Sequence, residues 1–191
     1  MNDEGINGEK KLPVRFLGIW DTVASFGLPG NDINLGKNLT LPDNVAYACH
    51  GMALDERRDT FPLTRITRNS STARMDANVH EVWFRGYHSD IGGGNKNEAL
   101  SSIPLVWMFR HAARQGIEFL QSDINAQLAL SDQQAECKTP GIDLVADECR
   151  EVLVTDLVHD TVSARQKADR FDANNPPDGI TVMNDSGEVL A

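Results

Sequence analysis

The sequence has few basic residues and no long apolar run. Its 18 Lys and Arg residues are outnumbered by 28 Asp and Glu residues, so the formal net charge is -10. Nucleic-acid binding depends on a concentrated basic surface, and this balance therefore argues against DNA or RNA as a partner. No stretch approaches the roughly 18 consecutive apolar residues of a membrane span, and the start lacks a basic segment followed by an apolar one. We expect neither a transmembrane segment nor a general secretory signal.

Cysteine is also scarce and unpatterned. The three cysteines are Cys49, Cys137 and Cys149, and their spacing fits neither a metal site nor a redox pair. We therefore expect reduced thiols, no metal held by cysteine, and a reducing compartment, the cytoplasm. The rest of the composition, with 40% hydrophobic and 24% charged residues, is typical of a globular core.

The sequence does contain two apolar strand patterns, each ending abruptly in a polar residue. The first predicted strand covers Val14–Trp20 and ends at Asp21, and the second covers Val79–Tyr87 and ends at His88. In open parallel sheets, reactive groups gather beyond the carboxyl ends of the strands. Asp21 and His88 could therefore share one sheet edge as a carboxylate–imidazole pair, which is two-thirds of a hydrolase triad. The pattern predicts an α/β fold.

Helices are predicted between and after these strands. The segment "NVAYACHGMALDERRD" has helical spacing of apolar residues, with Asp43 as a plausible N-cap. A second helix is predicted to start at Ser101 or Ser102, with Pro104 in its first turn, and to stop at Gly116. "IEFLQSDINAQLAL" predicts a further amphipathic helix, and the last residues predict loops with a small hairpin around Asn184–Gly187.

Three consecutive glycines follow the histidine in "EVWFRGYHSDIGGG". Because glycine tolerates backbone conformations that other residues avoid, Gly92, Gly93 and Gly94 predict a sharp loop with at least one positive φ that approaches the site closely. Asp90 is expected to orient this loop through backbone amides rather than to take part in chemistry.

Four ordered blocks resemble a known family. They are "FLGIWDTVASFG", "AYACHGMALDERRDTF", "EVWFRGYHSDIGGG" and "LSSIPLVWMFRHAARQG", and they look like the α/β-hydrolase family that includes the phospholipase effectors of type VI secretion. The resemblance covers Val14 to about Gly116. It implies an incomplete α/β-hydrolase-like parallel sheet with flanking helices, with Asp21 as the acid and His88 as the base. It also implies a glycerophospholipid ester as substrate, no cofactor, and type VI export of a complete form.

One part of the family pattern is missing from the 191 residues. The family's nucleophile lies in G-x-S-x-G, or the similar G-F-S-R-G, before the aspartate strand, and no serine precedes Asp21 here. Ser25 and Ser89 are the nearest hydroxyls, but neither lies in such an elbow. We expect the carboxyl-terminal part of a serine esterase, inactive alone. Either it belongs to a longer or split protein, in which an upstream half-chain would be the partner that supplies the serine, or it is a decayed copy. Residues 1–13 are expected to be a disordered or loop start, 14–116 the hydrolase part, and 117–191 a helical and loop extension, a shortened covering module.

Three other interpretations concern the same part of the sequence. "GGGNKN" is not a phosphate loop, because Lys96 is followed by Asn97 rather than by Ser or Thr. His88 and Asp90 could ligate a metal with His80 or His111, although the spacing is not that of a ligand set. The missing serine also leaves open a non-catalytic accessory or binding remnant of the same fold. His50 and His111 are expected to be structural histidines.

Overall fold

A six-stranded sheet organises the computed structural model, which describes residues 11–23, 41–58, 61–66, 78–94, 98–133, 149–165 and 174–190. The strands lie side by side in chain order, and β1 to β5 are parallel while β6 is antiparallel to β5. They are β1 Leu17–Trp20, β2 Ala48–Ala53, β3 Val79–Phe84, β4 Leu157–His159, β5 Thr181–Met183 and β6 Val189–Leu190. This mostly parallel sheet with helices confirms the predicted α/β class.

Four helices accompany the sheet in the described residues. They are α1 His88–Gly92, α2 Glu98–Arg114, α3 Gln121–Ser131 and α4 Thr161–Arg165. None of the helices in these residues combines the length and the apolar character needed to cross a bilayer.

Strand β2 corrects the helix predicted over "NVAYACHGMALDERRD". All six residues of Ala48–Ala53 are buried, because β2 lies between β1 and β3 and is covered on both faces. A strand buried on both faces has no polar side, so its apolar residues can fall at helical spacing by coincidence. Asp43 does not cap a helix; it lies in a turn in which the Val45 amide donates to the Pro42 carbonyl at 3.0 Å.

Other boundaries also differ from the sequence predictions. β3 stops at Phe84 rather than Tyr87, and only an isolated bridge between Val14 and Val45 precedes β1. α2 begins at Glu98, so Pro104 lies in its second turn instead of its first. The predicted hairpin at Asn184–Gly187 is confirmed, and its first strand, β5, also joins the sheet beside β4.

Three apolar clusters pack against the sheet in the described residues, and the smallest holds Leu41, Val45 and Ala48. On one face, α2 places Trp107 against Phe84, with ring centroids 5.4 Å apart in an edge-on arrangement. The second cluster holds Met52, Trp83 and Val158 with Val162 of α4. Burying these large side chains contributes about 2 kcal/mol each, which fixes the strands and hence the residues at their carboxyl ends.

Candidate active site

Asp21 and His88 meet at the carboxyl end of the sheet. Asp21 directly follows β1, and His88 begins α1 four residues after β3 ends. The His88 Nδ1 and Asp21 Oδ2 atoms lie 2.7 Å apart, with Asp21 fully buried and the His88 side chain 28% exposed. β2 lies between the two strands, so the Asp21 side chain spans its end, where the Ala53 amide donates to Oδ1 at 2.8 Å. The sequence prediction of a shared edge therefore matches the structure.

The carboxylate of Asp21 is held in its ionised form. Burial by itself raises its pKa, but hydrogen bonds from His88, Arg150 and the Ala53 amide outweigh burial and hold the pKa below its ordinary value. Arg150 contributes two bonds, from Nη1 to Oδ1 at 2.5 Å and from Nη2 to Oδ2 at 3.2 Å. An ionised carboxylate facing Nδ1 favours the tautomer in which that nitrogen carries the proton.

The backbone of Asp21 is strained. Its φ is +39°, and among the described residues no other non-glycine residue has a positive φ. Its amide still donates to the Gly51 carbonyl at 2.7 Å, so the residue remains tied to β2. Left-handed backbone at a non-glycine residue costs about 1–2 kcal/mol and persists only where surrounding contacts enforce it, which occurs most often at functional sites.

Glu56 and Phe61 support His88 from the segment after β2. The His88 amide donates to Glu56 Oε2 at 3.1 Å, and the same carboxylate receives Arg58 Nε at 2.8 Å and Nη2 at 2.6 Å. The Phe61 ring lies 4.9 Å from the His88 ring, and the Arg58 guanidinium lies 3.9 Å over the Phe61 ring. Burial raises the pKa of Glu56, but the bonds from Arg58 and the backbone amides lower it overall. His88 is thus held both at its backbone amide and at its ring.

Asp90 acts on the backbone that leads into His88. Its Oδ2 accepts the Tyr87 amide at 3.0 Å, and its side chain is buried. The residue before Tyr87 is Gly86, whose φ is +130° and whose position leaves no room for a side chain beside Asp90. The Tyr87 amide precedes His88 and is not part of the glycine loop, so the expected orientation of that loop by Asp90 stays a prediction.

The three glycines only partly match their prediction. His88–Gly92 forms the short helix α1, so the predicted loop starts after His88 only at Gly93. Positive φ is confirmed at Gly93, with +80°, and at Gly94, with +90°. The close approach to the site stays a prediction; a Cβ atom at any of the three glycines would meet nothing within 4 Å. Gly93 and Gly94 are therefore needed for their left-handed backbone and not for lack of space beside them.

Gly93→Val is expected to lower the free energy of unfolding by about 1–2 kcal/mol, because a β-branched residue must adopt a left-handed backbone there. Gly92→Ala is the matched control, since Gly92 has no positive φ and equally open surroundings. Urea unfolding of both variants measures the difference. Equal stability of the two would contradict the backbone explanation.

The other histidines lie outside this site. His50 Nε2 accepts the Thr22 amide at 3.2 Å and its Nδ1 lies 3.0 Å from Glu81 Oε1, so it is a satisfied core histidine. His111 Nδ1 lies 2.8 Å from the Tyr47 hydroxyl, and burial, with the nearby His80 and Arg114, lowers the pKa of His111 to about 4. Both match the structural role expected of them.

Metal ligation finds no support in the part of the chain that the structure describes. No group of three or more His, Cys, Asp or Glu side chains there is arranged to hold an ion. Of the two hydroxyls nearest the site in sequence, Ser89 lies within α1 and Ser25 lies outside the described residues.

Sequence reasoning missed several supporting residues. Glu56 lies three residues after the end of β2, so recognising β2 as a strand would have placed it at the same edge as His88. Arg150 lies 129 residues from Asp21 and carries no motif or periodicity that signals its position. Asn174, which binds the Arg150 carbonyl at 2.8 Å, is equally unmarked.

Comparisons with known proteins bear on the family of this chain. The family model described as T6SS, Phospholipase effector Tle1-like, catalytic domain matches residues 2–111. A protein of Saccharomyces cerevisiae named "Uncharacterized protein YEL023C" is 35% identical over 66 residues, which cover 31% of this chain and 10% of the yeast protein. This chain thus aligns with only a tenth of that relative's length. No solved structure gives a significant match. The match to the family model spans more than half of the chain, including both Asp21 and His88, and the chain belongs to the Tle1-like phospholipase effector family of type VI secretion.

Proposed function

We propose that Asp21 and His88 are the acid and base of a serine-dependent phospholipase whose nucleophile is supplied from outside these 191 residues. The observation that carries the proposal is the 2.7 Å contact between the buried Asp21 carboxylate and the half-buried His88 ring. The family is described as a phospholipase effector catalytic domain, which supports a lipid ester as the substrate class. Type VI delivery of the complete protein is part of the same proposal.

The proposed chemistry follows from which nitrogen is engaged. Nδ1 of His88 carries a proton and donates a hydrogen bond to Asp21, so Nε2 is the nitrogen that accepts the serine proton. The serine oxygen then bonds to the ester carbonyl carbon, and the bond to the alcohol breaks as His88 returns the proton to that alcohol. Water repeats the sequence to release the fatty acid. Asp21 fixes the tautomer and stabilises the imidazolium, without itself taking the proton.

The open edge of β1 supports a completing segment. Within the described strands, β1 pairs only with β2, and Asp21 lies at the end of this strand. A strand added in parallel to β1 would bring the residue after its own carboxyl end to the same edge as the Asp21–His88 pair. In this division, residues 14–116 carry the acid and base, and 117–191 form an extension that contributes Arg150.

The chain alone is expected to show no enzymatic hydrolysis of phosphatidylglycerol vesicles or p-nitrophenyl esters. An acid and base without a nucleophile can only activate water, and the oxyanion hole of this fold uses the amide after the elbow serine. Mixing with a segment that carries G-x-S-x-G is expected to produce activity that is lost in His88→Ala. His80→Ala is the matched control, since His80 packs against Tyr47 and His111 away from the site.

Two outcomes would decide against the proposal. Activity of the chain alone that disappears in His88→Ala would place the nucleophile within these residues. No activity in any mixture, with the elbow segment folded and bound, would favour the alternative of a non-catalytic remnant of the same fold.

A further inference from the structure

Arg150 joins three separate parts of the candidate site. It lies in the segment before β4, outside the residues that the family model matches. Its Nη1 donates to Asp21 Oδ1 at 2.5 Å and to the Ala53 carbonyl at 2.9 Å. Its Nη2 donates to Asp21 Oδ2 at 3.2 Å and to the Phe61 carbonyl at 2.8 Å. The side chain is only 11% exposed.

Two of the three residues that Arg150 binds, Asp21 and Phe61, also contact His88. Asp21 accepts from the imidazole, and Phe61 packs its ring 4.9 Å from it. A guanidinium is a rigid planar fork, so its two nitrogens can hold both carboxylate oxygens and both carbonyls in one fixed geometry. A lysine ammonium is a point charge and cannot span this set. The geometry therefore calls for arginine and not merely for a positive charge.

Asp21 needs such a hold because its backbone is strained. At φ +39° the residue would relax to an ordinary conformation if its contacts were released, and the carboxylate would move with it. The Ala53 amide binds only one of the two carboxylate oxygens, Oδ1. The two bonds from Arg150 fix the plane of the carboxylate and therefore the direction in which Oδ2 faces His88.

A buried polar network holds Arg150 itself in place. Asn174 Nδ2 donates to the Arg150 carbonyl at 2.8 Å and to the Leu54 carbonyl at 3.0 Å. The Asn174 amide donates to Asp55 Oδ1 at 3.1 Å, and its carbonyl accepts Arg85 Nη1 at 3.0 Å. The Arg150 backbone is thus anchored to the ends of β2 and β3, the same strands that position the site.

We propose that Arg150 is a positioning residue, whose two-nitrogen grip on Asp21 keeps the carboxylate aimed at Nδ1 of His88. It acts through Asp21 and touches no reacting atom. The importance of Arg150 for catalysis rests on the proposed function. Its effect on the tautomer of His88 does not, and this effect can be measured without a nucleophile.

The chain offers an internal comparison. Asp185 accepts from His159 Nε2 at 3.0 Å and forms an ion pair with Arg110 Nη1, also at 3.0 Å. This second arginine–carboxylate–histidine set has one arginine contact, and the Arg110 side chain is 37% exposed. Arg110→Gln therefore removes a similar charge from a similar pair at a different place.

The test is the tautomer of neutral His88, read by long-range 1H–15N correlation spectroscopy at a pH where the ring is uncharged. Asp21 favours the Nδ1–H form, and loss of the carboxylate contact releases the ring towards Nε2–H. Asp21→Asn serves as the reference for complete loss. Arg150→Gln retains a hydrogen-bond donor but not the charged, planar guanidinium. It is expected to convert most of the His88 population towards the Nε2–H tautomer. Arg150→Lys is expected to convert a smaller fraction, and Arg110→Gln none.

The outcomes separate the two proposals. A His88 ring that stays in the wild-type tautomer in Arg150→Gln would overturn the positioning role. If Arg150→Gln does not give the spectrum of a folded protein, Arg150→Lys is the deciding variant. An unchanged His88 tautomer in Arg150→Lys would overturn the requirement for two guanidinium nitrogens on Asp21, and a shift towards Nε2–H would support it. Failure of the completed enzyme to hydrolyse esters would count against the proposed function alone, because the tautomer does not depend on a nucleophile.

Discussion

Gly86→Ala is expected to lower the free energy of unfolding by about 3–5 kcal/mol, since it combines backbone strain with a steric clash. The residue has a φ of +130°, and a Cβ atom there would lie 2.7 Å from the Asp90 Cβ and 3.2 Å from Leu100 Cδ2. Neither neighbour is the free end of a flexible surface chain, because both are buried. Gly86 is also bonded through its amide to Asp55 Oδ2 at 2.7 Å, so the backbone cannot shift without breaking a buried contact.

Gly179→Ala is the matched control for this change. Its φ is +79°, but nothing lies within 4 Å of the added atom, so only the backbone cost of about 1 kcal/mol remains. Chemical denaturation of the two variants, compared with the wild type, measures the steric part by difference. Equal losses in the two variants would show that the packing between Gly86 and Asp90 is looser than the structure has it.

In the enzyme completed with an elbow segment, Asp21→Asn is expected to reduce kcat about 10³–10⁴-fold. The amide has the same shape but cannot stabilise the imidazolium, and it favours the wrong tautomer of His88. The expected loss is in kcat and not in KM, because Asp21 is fully buried and is proposed to act on the transition state and not on bound substrate. Steady-state kinetics on a soluble short-chain phospholipid would separate the two parameters.

Asp185→Asn provides the control for this substitution. It changes another carboxylate that binds a buried histidine and an arginine, and it lies away from Asp21 and His88 in the β5–β6 turn. We expect kcat within about twofold of the unmodified enzyme, because removing one such partner affects local stability and not the chemistry. A comparable fall in both variants would mean that the loss reflects folding and not the role of Asp21.

The positions of Asp21 and His88 could be predicted from the sequence because their signals are local. Each follows a short apolar run and precedes residues that break a strand, which places it at a carboxyl strand end without any knowledge of the rest of the chain. The hairpin at Asn184–Gly187 is local in the same way and was also predicted. Parallel packing then brings separate strand ends together, as the 2.7 Å contact illustrates.

β2 could not be recognised, because tertiary burial and not local preference determines its structure. Ala48–Ala53 contains no β-branched residue, and its small and flexible side chains are compatible with a helix. This segment is a strand because it pairs with β1 on one side and with β3 on the other. The error also hid Asp55 and Glu56, which belong to the same sheet edge.

Arg150 could not be predicted for a different physical reason. Its partners are carbonyls and a carboxylate at three distant points of the chain, and a solitary arginine in a polar segment gives no periodic pattern. Such contacts form only when a long loop brings distant parts of the chain together. The local sequence around Arg150 therefore does not indicate which residues it binds.

If the site depends on Arg150 and Asn174 as proposed, the time at which each residue is synthesised determines when the site can form. A ribosome releases Asp21 and His88 long before Asn174, whose side chain anchors the Arg150 carbonyl. Domains made at about 5–20 residues per second begin to fold as they emerge, so the acid and base would spend several seconds without the arginine that binds Asp21. On the proposed role of Arg150, the pair reaches its final geometry late in translation, after four of the six described strands have been made.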